Sequence, residues 1–486
     1  MKKRGERTLK KFSHYVSKED IERIHEESLR ILKEVGVRFE HPKALELFKE
    51  HGAKVEGDIV FISEDLVNQA VAQCPETFEL YSTKGSVTIG DGSRVNMPAC
   101  GAVYVEDHNS IRRMRNEDTI NIFKLASTSP ATDYNYMDYF ADTTNFTKEQ
   151  KIFSNVGMLL KYSPQIACFD PDTFSVPHEE LFNTTVKSLK IIKAFEGVEE
   201  QERYVNSFCV NSLSPLCYDF APLEKMFAFC AEKQPIWFTP CAMPALTSPP
   251  SVFATVSLTN AEILAGLTLA QLTCPGVPVI YGNTSASTDL RSILLSIGSP
   301  ETALMVYAAV AMADYYKMPC RSGGSLSDAK DLDYQAGAES MLVLNATYES
   351  GVDLILHACG IMGSFNIFSY EKYMLDEDTL LYARRMAAGI DTSEEKGCFD
   401  LIRKIGPRGS YLKGRTPKMY REEFVMPKFF NKQDPNVWQN EGRRSLKEMA
   451  EKVAKERIAS YQPPEITKEQ NAIVAPYIPE EYRESI

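Results

Sequence analysis

The sequence is short of the residues that build common metal and redox centres. Histidine occurs seven times in 486 residues, and His357 is the only one in the last 300. The eleven cysteines include no C-x-x-C pair. A structural zinc site is therefore not expected, because such sites need clustered cysteine and histidine; a catalytic ion held by distant cysteines stays open. The odd cysteine count and the apolar surroundings of most of them suit reduced, buried thiols in a cytoplasmic protein. No G-x-G-x-x-G and no Walker A motif occurs, which argues against dinucleotide and nucleoside triphosphate binding. No window of about 20 residues is free of polar punctuation. The most apolar stretch, from Ala261 to Tyr281, holds Glu262, Gln271 and a Pro275-Gly276 break, and reads as a buried helix, a turn and a strand. The N-terminal MKKRGERTLKKFSHY is basic with no apolar core behind it, which predicts a solvated arm and no secretory signal. An excess of positive charge is missing too. Lys and Arg total 54 against 66 Asp and Glu, a net charge of −12. That balance is poor for binding nucleic acid backbones, and it is compatible with a cationic substrate without selecting one.

What is present is a rhythm. Residues 18–35 carry Ile21, Ile24, Leu29, Ile31 and Leu32 at helical spacing behind a Ser17 cap, with Gly36 as the stop. Helices over 42–51 and 63–73 follow, then short β runs over 77–82, 86–89 and 95–97, with Asp91-Gly92 as a hairpin turn signal. From about residue 100, apolar runs alternate with helical patterns. The expected strands are 101–105, 134–137, 165–169, 205–210, 235–238, 278–281, 319–321 and 353–357. The expected helices lie near 116–127, 147–161, 179–194, 219–232, 252–273, 300–316, 331–349 and 376–389. Eight such units over roughly 290 residues match an α/β TIM (β/α)8 barrel. The expected organisation is a helical and small antiparallel lead-in over 1–98, the barrel over 99–394, and a helical extension over 395–486. The extension includes a basic stretch (Arg403, Lys404, Arg408, Lys413, Arg415, Lys418) and an amphipathic pattern over 441–458, and reads as a packing arm or a docking surface.

In barrel enzymes the reactive groups come from the C-terminal ends of the strands. Here those ends are rich in aromatics: Tyr104, Tyr134, Tyr136, Phe169, Phe238, Tyr281 and Phe365. Aromatic faces hold quaternary ammonium groups, which cannot hydrogen-bond, and they serve equally as barrel packing. Arg321 is the one clear cation there; Glu106, Asp138, Asp170, Asp328 and His357 are the titratable candidates. His357 either orients a substrate or is a satisfied core histidine. The run 327–333, with Asp328, suggests metal ligation or, more simply, an acidic helix start. Gly323, Gly324, Gly360 and Gly363 allow close backbone approach to a ligand or serve turns. The eight expected strands contain no lysine, which argues against a Schiff-base aldolase.

Four segments together carry a family likeness: HEESLRILKEVGVRFEHPKALELFKEHGAKV near the start, then GAVYVED, SGGSLSDAKDLDYQAG and LHACGIMGSF. From about residue 18 to the C-terminal region, the chain resembles the trimethylamine methyltransferase superfamily. The resemblance implies a TIM barrel that moves a methyl group from an amine to Co(I) of a separate corrinoid protein, with no tightly bound cofactor of its own. Founding members carry pyrrolysine, whereas this chain is written in standard residues throughout. It therefore looks like the branch acting on betaines such as glycine betaine, proline betaine and carnitine. By motif, the resemblance maps substrate contacts onto Tyr104, His357 and Phe365. Arg321, Tyr134, Tyr136, Phe169 and Tyr281 complete the expected substrate-binding set, and Gly323, Gly324 and Asp328 are the expected contacts to the corrinoid cofactor. The expected partners are a corrinoid protein, a small betaine and further copies of the chain, with no nucleic acid and no membrane. Two other readings stand beside this one. One is a lyase or hydrolase on a carboxylated substrate, using a pair such as Asp138 and His357. The other is a betaine-binding module without catalysis.

Overall fold

A computed structural model of the protein describes residues 14–107, 110–412, 414–483 and 486. Residues 1–13 of the expected arm over 1–15, and Lys413 of the basic stretch, lie outside the described residues; at the arm's end Tyr15 stacks on Tyr307, ring centroids 4.8 Å apart. The first helix, Lys18–Glu34, starts where the sequence says it should. The Ser17 hydroxyl accepts from the Asp20 N–H at 3.1 Å, and the Asp20 carboxylate accepts from the Ser17 N–H at 2.9 Å. Two orphan helix donors are thereby satisfied. The helix ends before Gly36, whose φ is +78° and where a Cβ would lie only 2.8 Å from the Val60 carbonyl oxygen, so no side chain fits. With Glu64–Gln73, this helix packs onto Val252–Thr273. That burial explains why Val252–Thr273 is apolar all round. It is long and apolar enough to span a membrane by length and composition, yet 83% of its most apolar window lies inside the fold.

The centre is a six-stranded parallel sheet in the order Val95–Asn96, Leu354–Ile355, Cys320–Arg321, Val279–Gly282, Ile236–Phe238, Phe208–Val210. Beyond Val95–Asn96 the backbone bonding continues. The N–H groups of Asp133 and Tyr134 donate to the Asn96 carbonyl at 2.9 and 3.1 Å. Asn135 forms a parallel bridge to Ala167. Phe169 then meets the amide of Asn206, which accepts at 3.0 Å and donates at 2.7 Å. Helices follow the strands at Asn116–Ser127, Lys148–Tyr162, His178–Glu196, Phe220–Ala231, Val252–Thr273, Pro300–Tyr315, Tyr334–Ser350 and Tyr370–Ala388.

Three expectations need correction. The expected first strand, 101–105, does not join the parallel sheet. Pro98 and Gly101 (φ +77°) turn the chain away, and Tyr104–Asp107 pairs instead with Ser110–Arg113 and Ile367–Ser369 in a separate four-stranded sheet. Val95–Asn96 takes the first place. Asp91-Gly92 is not a hairpin turn: the antiparallel pair is Phe78–Ser82 with Gly85–Ile89, turning at Thr83-Lys84. Asp91 instead accepts the Ser93 N–H at 2.8 Å and redirects the chain into the parallel sheet. The last helix begins at Tyr370, not near 376, because Ser369 supplies its cap by accepting from Lys372 N–H at 3.2 Å.

Strand residues alternate between two faces, and the core splits accordingly. One cluster joins Val95, Met97, Tyr134, Ile166, Cys168, Trp237, Ile280, Leu354 and Leu356 inside the sheet. Phe78, Leu80 and Ile89 of the hairpin close it at the N-terminal ends of the strands, where Tyr81 N–H bonds the Tyr204 carbonyl at 2.8 Å. The other cluster packs the opposite face against the helices. At the C-terminus, Leu446–Ser460 lies along Tyr370–Ala388. It is held there by Arg457, which grips Glu377 at 2.7 and 2.9 Å, and by Lys447, 2.6 Å from the buried Glu106 carboxylate.

Candidate active site

The C-terminal ends of the parallel strands open into a cavity of about 730 Å3. Its wall is built in strand order: Met97 and Cys100, then Tyr136 and Tyr139, Cys168 and Asp170, Cys209 and Asn211, Trp237 and Cys241, Thr284, Arg321, and His357 with Phe365. It reaches solvent past Phe174, which is 89% exposed.

Arg321 dominates its chemistry. The residue is only 2% exposed, and its Nε and Nη1 have no hydrogen-bond partner. Its guanidinium sits 5.9 Å from the Trp237 ring centroid, and the Trp237 Nε1 is also unpartnered. Buried donors are almost always satisfied, so a charged group left with two free donors inside a cavity calls for an anionic ligand. Burial pulls the Arg321 value below its ordinary range. Beside it, His357 is held neutral: burial and then the Arg321 charge push its value down to about 3. Its Nδ1 accepts from the Cys100 N–H at 3.4 Å, which puts the imidazole proton on Nε2. His357 has φ +58° and Phe365 φ +70°, and their rings lie 4.8 Å apart. Two left-handed residues facing each other in one cavity mark backbone strain of the kind that collects at functional sites.

The opposite wall carries Asp170. Tyr139 donates to its Oδ2 at 2.5 Å, while Oδ1 is buried without a hydrogen bond, 3.9 Å from Lys225 Nζ. Cys100, Cys168, Cys209 and Cys241 line the wall, and burial raises the thiols of Cys100, Cys168 (to about 12) and Cys209, whereas Cys241 is exposed. Among the described residues, no three His, Cys, Asp or Glu side chains gather closely enough to hold a metal ion. Asp138, pushed up to about 7 by burial, accepts the Gly101 N–H at 2.8 Å. His357 and Asp138 are thus anchored on adjacent peptide groups, and no hydrogen bond joins them among the described residues.

Of the residues expected from the sequence, Arg321, His357, Phe365 and Tyr136 come together in this cavity. Seven do not line it. Tyr281 and Phe169 fall on the helix-facing side of their strands, where Tyr281 donates to Asn260 at 3.0 Å. Tyr134 is buried in the sheet interior, its hydroxyl 3.5 Å from Ser207 Oγ. Tyr104 lies on the outer sheet with the Arg113 guanidinium 5.7 Å from its ring. A side chain at Gly323 would strike Thr347, and one at Gly324 the Leu356 carbonyl at 2.5 Å. Asp328 is spent on the chain itself: it accepts from Ser296 Oγ, Ile297 N–H, Gly298 N–H and Ser364 Oγ at 2.8–3.0 Å. Sequence reasoning missed Trp237 and the four thiols. Strand parity was the available signal: a strand's two faces alternate, and Trp237 sits one position before the expected Phe238.

The comparisons with known proteins agree with this architecture. The chain is 38% identical over 479 residues to the proline betaine:corrinoid methyltransferase of Eubacterium limosum, covering 97% of this chain and 98% of that protein. It is 34% identical over 478 residues to the L-carnitine:corrinoid methyltransferase of the same organism, covering 96% and 98%. A crystal structure of the hydroxylamine complex of MtmB shares the fold, with a TM-score of 0.53 at 11% identity, over 98% of this chain and 92% of that one. Residues 4–485 match the trimethylamine methyltransferase (MTTB) family, to which this chain belongs.

Proposed function

We propose that this protein transfers a methyl group from a betaine, a carboxylated quaternary amine, to Co(I) of a separate corrinoid protein. The single observation that carries the substrate class is Arg321, a buried guanidinium with two free donors in the cavity. Its planar fork suits a carboxylate. The Nε2–H of neutral His357 supplies a further donor there without adding a second positive charge beside a cationic substrate. Phe365, Tyr136 and Trp237 give the ammonium methyls apolar and aromatic surface.

The reaction needs no general acid. The methyl C–N bond breaks with both electrons left on nitrogen, so the amine departs neutral, and the new carbon–cobalt bond uses the electron pair of Co(I). The substrate's positive charge disappears along this path. A cage that bound the cation strongly would stabilise the ground state more than the transition state and slow the step. The residues therefore act by positioning: Arg321 and His357 fix the carboxylate, and the aromatic wall points one methyl toward the open mouth. A tertiary amine leaves as a neutral amine only while its nitrogen carries a proton, so the demethylated product should react more slowly than the permanently charged betaine. The alternative acid–base reading needs Asp138 and His357 to act as a pair; their separate backbone anchors do not favour it.

The same proposal includes closure of the parallel strands into a full (β/α)8 barrel through the Asn96, Asn135 and Asn206 links. Its lead-in ends before Val95, its extension begins near residue 395, and its location is the cytoplasm, in keeping with eleven unpaired cysteines. It also includes a homo-oligomer. Among the described residues, four short helices between Glu394 and Asn440 bury no side chain, and Phe399 and Leu412 stand exposed along that arm. The test is direct: mix the enzyme with free Co(I) cobalamin and a panel of betaines, and follow methylation of the corrin by absorbance. Activity on a betaine, and none on trimethylamine, supports the reading; activity on none of the betaines overturns it.

A further inference from the structure

The segment after strand Val279–Gly282 leaves the cavity wall at Thr284 and folds into a small hairpin, Ser287–Asp289 with Leu294–Ser296. Its tip is unusual. Leu290, Ile293 and Leu294 are 59%, 63% and 52% exposed, three aliphatic side chains within five positions. Ile293 also has φ +56°. A β-branched residue in the left-handed region is strained, and here it gains no burial in return. Glycine or asparagine would serve the turn better, so the tip is not shaped for stability of this chain alone.

The hairpin is also tied to the active site. Asp328 accepts from Ser296 and from the backbone at Ile297 and Gly298 at the hairpin's base, and from Ser364, the neighbour of Phe365. One buried carboxylate thus links the exposed tip to the strained turn that carries an aromatic wall of the cavity. Other exposed apolar residues stand in the loops leaving the same ends of the parallel strands: Phe174 on the cavity rim, Leu213 and Leu246. Apolar patches rimmed by polar residues on a soluble protein mark interaction sites.

We infer that the hairpin tip at Leu290, Ile293 and Leu294 is the docking element for the corrinoid protein, with Asp328 as the strut that sets it against Phe365. The inference rests on the methyltransferase reading, because the acceptor's corrin must reach this mouth and its carrier must then contact the loops around it. A second copy of this chain is the competing occupant.

The experiment compares two acceptors with the full-length enzyme: free Co(I) cobalamin, and a purified cobalamin-loaded corrinoid protein that the wild type methylates. The variants are Leu290→Glu with Leu294→Glu, and separately Ile293→Asn, which relieves the strained φ. We expect kcat/KM with the protein-bound acceptor to fall at least tenfold in both, with the free cobalamin rate within twofold of wild type. The melting temperature of Ile293→Asn should equal or exceed that of wild type. Equal losses with both acceptors, no loss with either, or a change of oligomeric state by light scattering would each overturn the docking assignment. If the wild type itself methylates neither acceptor, the failure belongs to the methyltransferase reading.

Discussion

Replacing Arg321 by methionine should make the protein more stable and a worse enzyme at once. The side chain is 2% exposed, and two of its donors are unpartnered. An unsatisfied buried polar group costs about 1–3 kcal/mol, more when charged. Two such donors therefore cost roughly 2–6 kcal/mol in the ligand-free protein. Methionine removes that cost but loses packing over Trp237, so the net gain should be about 1–3 kcal/mol, or a few degrees in Tm. Binding should move the other way. Truncating one partner of a buried charge pair costs roughly 2–5 kcal/mol, which is about a 30-fold or larger rise in KM for a betaine. Because the carboxylate is remote from the breaking C–N bond, kcat should change much less. Thermal melts and initial rates with free Co(I) cobalamin read both effects. A variant with lower Tm and unchanged KM would refute the reasoning that Arg321 waits for an anion.

Three further outcomes follow from the geometry. His357→Ala should raise KM strongly or abolish turnover, read by initial rates against betaine concentration. The low value of His357, about 3 in the fold against 6.5 when free, also predicts a stability signature. The unfolded chain takes up the proton first, so the stabilisation is complete above about pH 6.5 and drains as pH falls toward 3. At pH 5 the wild type should have lost roughly 2 kcal/mol from this group, and melts of His357→Gln at pH 7 and 5 should show a correspondingly smaller loss. Lys447→Met should leave the buried Glu106 carboxylate without its cation and destabilise by about 3 kcal/mol, visible as a lower Tm and faster proteolytic release of Leu446–Ser460.

The rhythm of strands and helices was legible because it rests on local physics. The Ser17 cap and apolar periodicity located most of the helices within a few residues, the helix from Tyr370 excepted. The first strand was misplaced because Tyr104 and Val105 of GAVYV do enter a strand, Tyr104–Asp107, but one whose partners lie outside the parallel sheet, and hydrogen-bond partners are a non-local property. Arg321, His357, Phe365 and Tyr136 were readable as strand-end residues of unusual chemistry. Tyr281 and Phe169 misled because position along a strand does not fix which face it presents; that depends on register against the neighbours, as for Phe238 with Tyr281. Asp328 looked like a ligand-facing carboxylate, and only the folded chain reveals the four donors that occupy it.

The central claim is tested most directly by product balance. The enzyme is incubated with methyl-carbon-13-labelled proline betaine or glycine betaine and free Co(I) cobalamin, and both products are measured by NMR. Equal amounts of demethylated tertiary amine and singly labelled methyl on cobalt, with no reaction when the corrin is omitted, is the predicted result. Consumption of a betaine without the corrin, or of none of the betaines in its presence, would contradict the account.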